Sequence, residues 1–199
     1  MESKTILIDM DSIIVDIEEK WYGQYNATFG DNLTTEKIKT WDLDRFCKPS
    51  DQVPHPVFSI LAQPGFFLDL PALPGALEGL RRLSDGGHNV MLVTSPPNIP
   101  SMSDKATWIK TQMPWFNVHK NLILTYQKNL VKGDILFDDG PHNITRYRQA
   151  WPNAAIATIA YPYNESAQSQ CDLVTGTYLD TAAAWDRFCS WVEAGALRK

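Results

Sequence analysis

The stretch Lys4-Thr5-Ile6-Leu7-Ile8-Asp9-Met10-Asp11-Ser12-Ile13-Ile14 decides how this chain is read. Residues 5–8 are apolar and partly β-branched, too short a run for a helix, and predict a buried strand. Two aspartates at i, i+2 follow at once. If the backbone stays extended through Asp11, both carboxylates leave the C-terminal edge of that strand on the same side. In open α/β sheets that edge is where ligands bind. Two like charges so close repel unless a cation or a proton sits between them. The plain alternative is a turn or a helix N-cap, where Asp is also common; the rest of the chain weighs on the choice.

From residue 73 onward the pattern is regular. Residues 73–76 open a helix to about residue 84, with Pro74 near its first turn. Gly86 and Gly87 end it, and residues 89–93 form a strand that stops at Thr94-Ser95-Pro96-Pro97. Ser103 or Asp104 is expected to cap a second helix reaching about residue 112. A third strand over 122–125 leads to Lys128, and a fourth over 135–137 ends in Asp138-Asp139-Gly140. A helix over 143–150, a fifth strand over 155–159 and a helix over 181–193 follow. Strands alternating with helices predict an α/β fold, a Rossmann-like parallel sheet with helices on both faces.

Residues 16–70 have another character. Helix is expected from 16 to 25, a second start at Thr34-Thr35, loop over 50–56 with its two prolines, and a short apolar helix over 57–62. The stretch is dense in aromatics, among them Trp21, Tyr22, Tyr25, Phe29, Trp41, Phe46, Phe58, Phe66 and Phe67. It reads as a small helical cap inserted after the first strand. The expected division is a core of 1–15 with 71–199 and a cap of 16–70.

Composition bounds the partners. The chain has 199 residues, 44% hydrophobic and 11% aromatic, which excludes general disorder and allows a proper core. A net charge of −5 argues against a nucleic-acid polymer as the main ligand. The first residues carry no signal-peptide features, and no segment approaches the roughly 18 apolar residues of a membrane span. Cys47, Cys171 and Cys189 are scattered and odd in number. They read as reduced thiols of a cytoplasmic protein, with neither a disulfide framework nor a zinc site.

Each of four expected strands ends in polar residues suited to one site: Asp9 and Asp11, Thr94 and Ser95, Lys128, Asp138 and Asp139. In a parallel sheet these ends share an edge. Taken singly, Thr94-Ser95 is a helix cap, Lys128 a solvated lysine and Asp138-Asp139-Gly140 a turn. Their combination in this order is what carries weight. Four carboxylates suit Mg²⁺, a hard cation that takes oxygen ligands and bridges to phosphate. Hydroxyls and an ammonium suit phosphate oxygens. The set points to phosphoryl transfer.

The order Asp9-Met10-Asp11, Thr94-Ser95, Lys128, Asp138-Asp139 resembles the four motifs of the haloacid dehalogenase-like hydrolases. Within them the chain looks most like the 5′(3′)-deoxyribonucleotidases. That closer likeness rests on Asp9-Met10-Asp11, Phe66-Phe67 before Leu73-Pro74-Gly75-Ala76, Thr94-Ser95-Pro96 and Leu136-Phe137-Asp138-Asp139. The resemblance implies Asp9 as the nucleophile that forms an aspartyl-phosphate. It implies Asp11 as general acid and then base, with its backbone carbonyl on the metal. Thr94 and the Ser95 amide would hold phosphate oxygens, and Lys128 would neutralise charge on the transferring group. Asp138 and Asp139 would complete the Mg²⁺ site, one directly and one through water or Lys128. Lys105 is a further candidate for phosphate contact.

Three positions depart from that subfamily: Ser12 stands where it usually has Gly, Ile17 where it tends to place an aromatic, and Tyr126 where Arg is frequent. Trp41 either supplies the missing stacking surface or is core. The expected substrate is a small molecule, a (deoxy)ribonucleoside monophosphate, with a homodimer among the assemblies the sequence allows. The competing readings are the same chemistry on another small phosphate, and a non-catalytic binding protein on the same fold. A phosphorylated receiver domain is disfavoured, because there the reactive Asp ends the third strand. His142, beside the Asp138-Asp139-Gly140 loop, is expected as an exposed loop residue, with substrate contact as the alternative; His55, His88 and His119 have no ligand-like spacing.

Overall fold

The computed structural model describes residues 2–51 and 53–196. Met1 and residues 197–199, at the ends of the expected core segments, and Gln52 in the expected cap lie outside the described residues.

Among the described residues six parallel strands form one sheet: β1 (Thr5–Ile8), β2 (Asn89–Thr94), β3 (Leu122–Leu124), β4 (Ile135–Phe137), β5 (Ala155–Ala160) and β6 (Leu173–Thr177). Their spatial order is β3-β2-β1-β4-β5-β6. The chain runs outward from β1 to β3 and then returns to the other side of β1 to begin β4. The order therefore reverses between β1 and β4, the switch point at which a doubly wound sheet opens a crevice. Ile8 pairs in register with Phe137, and the Asp9 amide donates to the Phe137 carbonyl at 2.9 Å. Asp9 and Asp138 thus leave neighbouring strands at one level.

The helices among the described residues are α1 (Ile17–Phe29), α2 (Pro56–Leu61), α3 (Ala76–Asp85), α4 (Ile99–Gln112), α5 (Val118–Asn121), α6 (Pro141–Ala150), α7 (Glu165–Gln168) and α8 (Thr181–Glu193). Strand alternation divides the core into two faces. Ile6, Ile8, Ile135 and Phe137 pack with α3, α4 and α8, whereas Leu7 and Leu136 pack with Ile144 and Tyr147 of α6. Phe137 stacks on Phe188 of α8 with ring centroids 4.0 Å apart.

Several boundaries differ from the sequence reading. Helix α4 starts at Ile99, capped by Asn98 and Ser101, not at Ser103 or Asp104. Pro100 lies in its first turn, where the missing N–H would have had no partner anyway. Helix α3 begins at Ala76, because Gly75 stands at φ 84°, and a Cβ there would meet Ala182 Cα of α8 at 2.9 Å. Helix α6 begins at Pro141, and Thr34-Thr35 opens only a single 3₁₀ turn, Thr35–Lys37. Helix α1 continues past Tyr25 to Phe29, ended by left-handed Gly30. Strand β6 has no counterpart in the sequence reading. It is a part-exposed edge strand with Gly176 inside it, which erases the strand pattern.

Residues 17–70 add no strand to the sheet among the described residues. The segment leaves and returns through two hydrogen-bonded linkers: Asp16 N donates to Pro71 O at 2.9 Å and Leu73 N to Ile14 O at 2.8 Å. Within it, the Trp21 indole donates to Val57 O at 2.6 Å and joins α1 to α2. No helix among the described residues is long and apolar enough to cross a membrane.

Candidate active site

Strand β1 stops at Ile8, the backbone bends at Met10 before Asp11, and Ser12 then turns left-handed at φ 59°. A left-handed residue with a Cβ costs about 1 kcal/mol or more, which is why glycine suits this position. Here the serine hydroxyl donates to Glu18 Oε1 at 2.5 Å and offsets part of that cost. Because of the turn the two aspartates take different lysines. Asp9 Oδ2 lies 2.6 Å from Lys128 Nζ, and Asp11 Oδ2 lies 2.5 Å from Lys105 Nζ. Both aspartates still line one cavity of about 250 Å³.

Lys128 sits on a 3₁₀ turn, Lys128–Leu130, four residues beyond the end of β3. It is buried, and its second partner is Asp138 Oδ2 at 2.8 Å. Burial would pull the ammonium down, but Asp138 and Asp9 together hold it above its ordinary value. Asp138 is committed further: Oδ1 accepts from the Gly140 amide at 2.8 Å and from Asn143 Nδ2 at 3.0 Å. Asp139 is held more lightly, by the Tyr163 hydroxyl at 2.6 Å from Oδ2.

Asp9, Asp138 and Asp139 can each offer a carboxylate oxygen within 4.8 Å of the others. Three carboxylates against the one ammonium of Lys128 leave two negative charges, which a divalent cation would offset. An all-carboxylate donor set is hard and fits a hard cation better than zinc. The Asp11 carboxylate lies outside this group. Burial pushes Asp9 up to about 7 despite the pull of Lys128, and burial with the charges of Asp9 and Asp138 raises Asp139 well above the carboxylate range.

Thr94 is fully buried, and its hydroxyl accepts from Lys105 Nζ at 2.8 Å. Ser95 lines the cavity while its hydroxyl donates to Thr125 O at 3.0 Å. Lys105, expected on phosphate, is fully buried and lies 4.7 Å from the centroid of the Phe67 ring. The fold makes it the partner of Asp11 and Thr94.

Trp41 is no core residue. It is 43% exposed, lines the cavity, and packs on His142 and Tyr163 with ring centroids 5.0 and 5.4 Å apart. His142, expected as an exposed loop histidine, is part-buried in the first turn of α6 and lines the same cavity. Ile17 and Tyr126 line it too. Sequence reasoning missed Glu18, Asn143 and Tyr163. For Tyr163 there was a signal: it follows β5, whose C-terminal end lies on the same sheet edge as the four searched.

Fold and site together define a haloacid dehalogenase-like hydrolase. The family profile described as "5' nucleotidase, deoxy (Pyrimidine), cytosolic type C protein" matches residues 3–172. A 5′(3′)-deoxyribonucleotidase of Clostridium acetobutylicum is 32% identical over 148 residues, 74% of this chain and 79% of the relative. Another, of Bacillus subtilis, is 31% identical over 146 residues, 72% and 80% of the two chains. Among solved structures, a haloacid dehalogenase-like protein of unknown function from Agrobacterium tumefaciens superposes with TM-score 0.58. It covers 98% of this chain and 100% of its own at 12% identity, a likeness of fold alone. The chain belongs to the cytosolic type C deoxyribonucleotidase family, and it is a phosphoric monoester hydrolase.

Proposed function

We propose that this enzyme is a Mg²⁺-dependent phosphatase of (deoxy)ribonucleoside monophosphates that works through an aspartyl-phosphate on Asp9. The observation that carries the reading is Asp9 itself: a buried carboxylate sharing Lys128 with Asp138, in a cavity walled by Trp21, Trp41, Phe58 and Tyr126. Asp9 attacks phosphorus, the bond to the leaving sugar oxygen breaks, and Asp11 gives that oxygen a proton. Water then attacks the phosphoenzyme, Asp11 takes its proton, and inorganic phosphate leaves with Asp9 restored. Asp11 Oδ1 is buried without a hydrogen-bond partner among the described residues, which suits an oxygen kept for that proton. Lys128 offsets charge on the transferring group, and Thr94 with the Ser95 amide holds phosphate oxygens.

Asp9, Asp139 and the Asp11 backbone carbonyl would hold Mg²⁺, which supplies charge neutralisation at the phosphoryl oxygens. Asp139 is the direct ligand in this reading, because Lys128, Gly140 and Asn143 already engage both oxygens of Asp138. Residues 16–70 act as the cap that presents aromatic surface to the base, over a catalytic core of 1–15 and 71–199. Three free cysteines fit work in the reducing cytoplasm. The test is phosphate release across nucleoside monophosphates and sugar phosphates, with and without Mg²⁺. Turnover of nucleotides that needs Mg²⁺ supports the reading; equal turnover of plain sugar phosphates removes the nucleotide assignment.

A further inference from the structure

We propose that Tyr163, steadied by Glu18 of the cap helix, is a positioning residue that aims the Asp139 carboxylate at the cation. The inference rests on the reading of Asp139 as a metal ligand. It starts from the short segment Tyr161-Pro162-Tyr163-Asn164, a single 3₁₀ turn after β5 on the ligand edge of the sheet. Tyr163 is buried there, and its hydroxyl lies 2.6 Å from Asp139 Oδ2 and 3.3 Å from Glu18 Oε1. Asn164 of the same turn donates to the Asp139 backbone carbonyl at 3.0 Å. One turn therefore holds both the main chain and the side chain of Asp139.

The ring that carries this hydroxyl is itself fixed. Tyr161 stacks on it at 5.0 Å with the planes 17° apart, and Tyr161 donates to Ser12 O at 2.8 Å. Glu18 is buried on α1 and accepts from Ser12 Oγ at 2.5 Å. Helix α1, the turn after Asp11 and the turn after β5 thus converge on one carboxylate.

The chemistry of the donor explains why a phenol stands here. A phenol has one proton: the contact at 2.6 Å gives it chiefly to Asp139 Oδ2, and Glu18 Oε1 at 3.3 Å is its second, weaker acceptor. A neutral donor orients the carboxylate without cancelling its charge. An ammonium in the same place would compete with the cation, as Lys128 does at Asp138. The site therefore divides the work: Lys128 offsets Asp9 and Asp138, and Tyr163 aims Asp139 while leaving its charge to the metal. Partners that hold a ligating carboxylate in this way set metal affinity.

The test is Mg²⁺ titration by calorimetry in the absence of substrate. Tyr163→Phe is expected to weaken Mg²⁺ binding about 10- to 100-fold, with kcat recovered when Mg²⁺ is raised in proportion. Glu18→Ala is expected to weaken it less, and to add nothing in the Tyr163→Phe background, since Glu18 acts through the phenol. Glu18→Gln, whose Oε1 can still accept from both Ser12 Oγ and the phenol, is expected to keep wild-type affinity. Should Tyr163→Phe fail to fold, the contrast between Glu18→Ala and Glu18→Gln makes the same decision. Unchanged affinity in Tyr163→Phe, or additive losses in the double variant, overturns the inference and leaves the functional reading intact. Absence of Mg²⁺ binding by the wild type overturns both.

Discussion

Lys105 Nζ stands 2.5 Å from Asp11 Oδ2 and 2.8 Å from Thr94 Oγ1, with no exposed surface of its own. It comes from the second turn of α4, so the ammonium reaches the end of β1 from the helix that follows β2. The pair fixes one oxygen of Asp11 and leaves the other, Oδ1, without a hydrogen-bond partner among the described residues, available for the proton transfer proposed above. Lys105→Met should leave Asp11 unpaired, lower stability by about 1–3 kcal/mol, and lower kcat about 100-fold through misplacement. Steady-state kinetics with thermal melts will check this. A variant with full kcat would show that Asp11 needs no partner.

Asp9→Asn removes the proposed nucleophile while keeping its size. Turnover should fall to background. Stability of the metal-free protein should rise, because one of three mutually repelling carboxylates is gone and Lys128 keeps Asp138. Phosphate release by the folded variant would refute the covalent mechanism, and a lower melting temperature would refute the repulsion argument.

What the sequence disclosed follows from which features are local. Residues 5–8 and 135–137 are apolar runs cut off by acidic turns, so their strands and the carboxylates after them are legible together. Lys128 is legible by its place in the motif order, although it lies beyond its strand on a separate turn. Strand β6 is hidden by Gly176, and the cap of α4 by the prolines around Asn98. Glu18 and Tyr163 lie 145 residues apart and meet only through packing, so no local pattern could mark them as one unit. Lys105 was visible as a site residue, but its partner, 94 residues away, was not.

Burial raises Asp9 and Glu18 to about 7 and Asp139 well above its ordinary value. A carboxyl whose folded pKa exceeds its unfolded pKa holds its proton more firmly when folded. Its stabilising contribution is whole below the unfolded value, near 4, and is lost as pH rises through the folded one. Protein stripped of metal should therefore melt at progressively lower temperature from pH 5 to pH 8. Added Mg²⁺ favours the ionised carboxylates, so it should raise the melting temperature more at pH 8 than at pH 5, with release of protons. Thermal melts in chelator and in Mg²⁺ across that range will check both trends; a metal-free protein that gains stability toward pH 8 contradicts them.

Base reading should rest on Trp41, whose indole is 43% exposed beside the cavity, and should be weakened by Ile17 at the position the subfamily gives to an aromatic. An aromatic contact is worth about 0.5–1.5 kcal/mol beyond area burial, so Trp41→Ala should raise KM for thymidine and uridine monophosphates about 2- to 13-fold. A plain sugar phosphate, which has no base, should be unaffected. Ile17→Phe should lower KM for the same nucleotides by a comparable factor, since Ile17 is buried on the cavity wall and a ring there would face the substrate from a second side. Among the described residues of 16–70, none that lines the cavity is lysine or arginine, so monophosphates should be preferred to diphosphates and triphosphates in every variant. Comparing kcat and KM for the four proteins, wild type, both single variants and their combination, separates these effects. If both substitutions change nucleotides and sugar phosphate alike, the cap does not read the base.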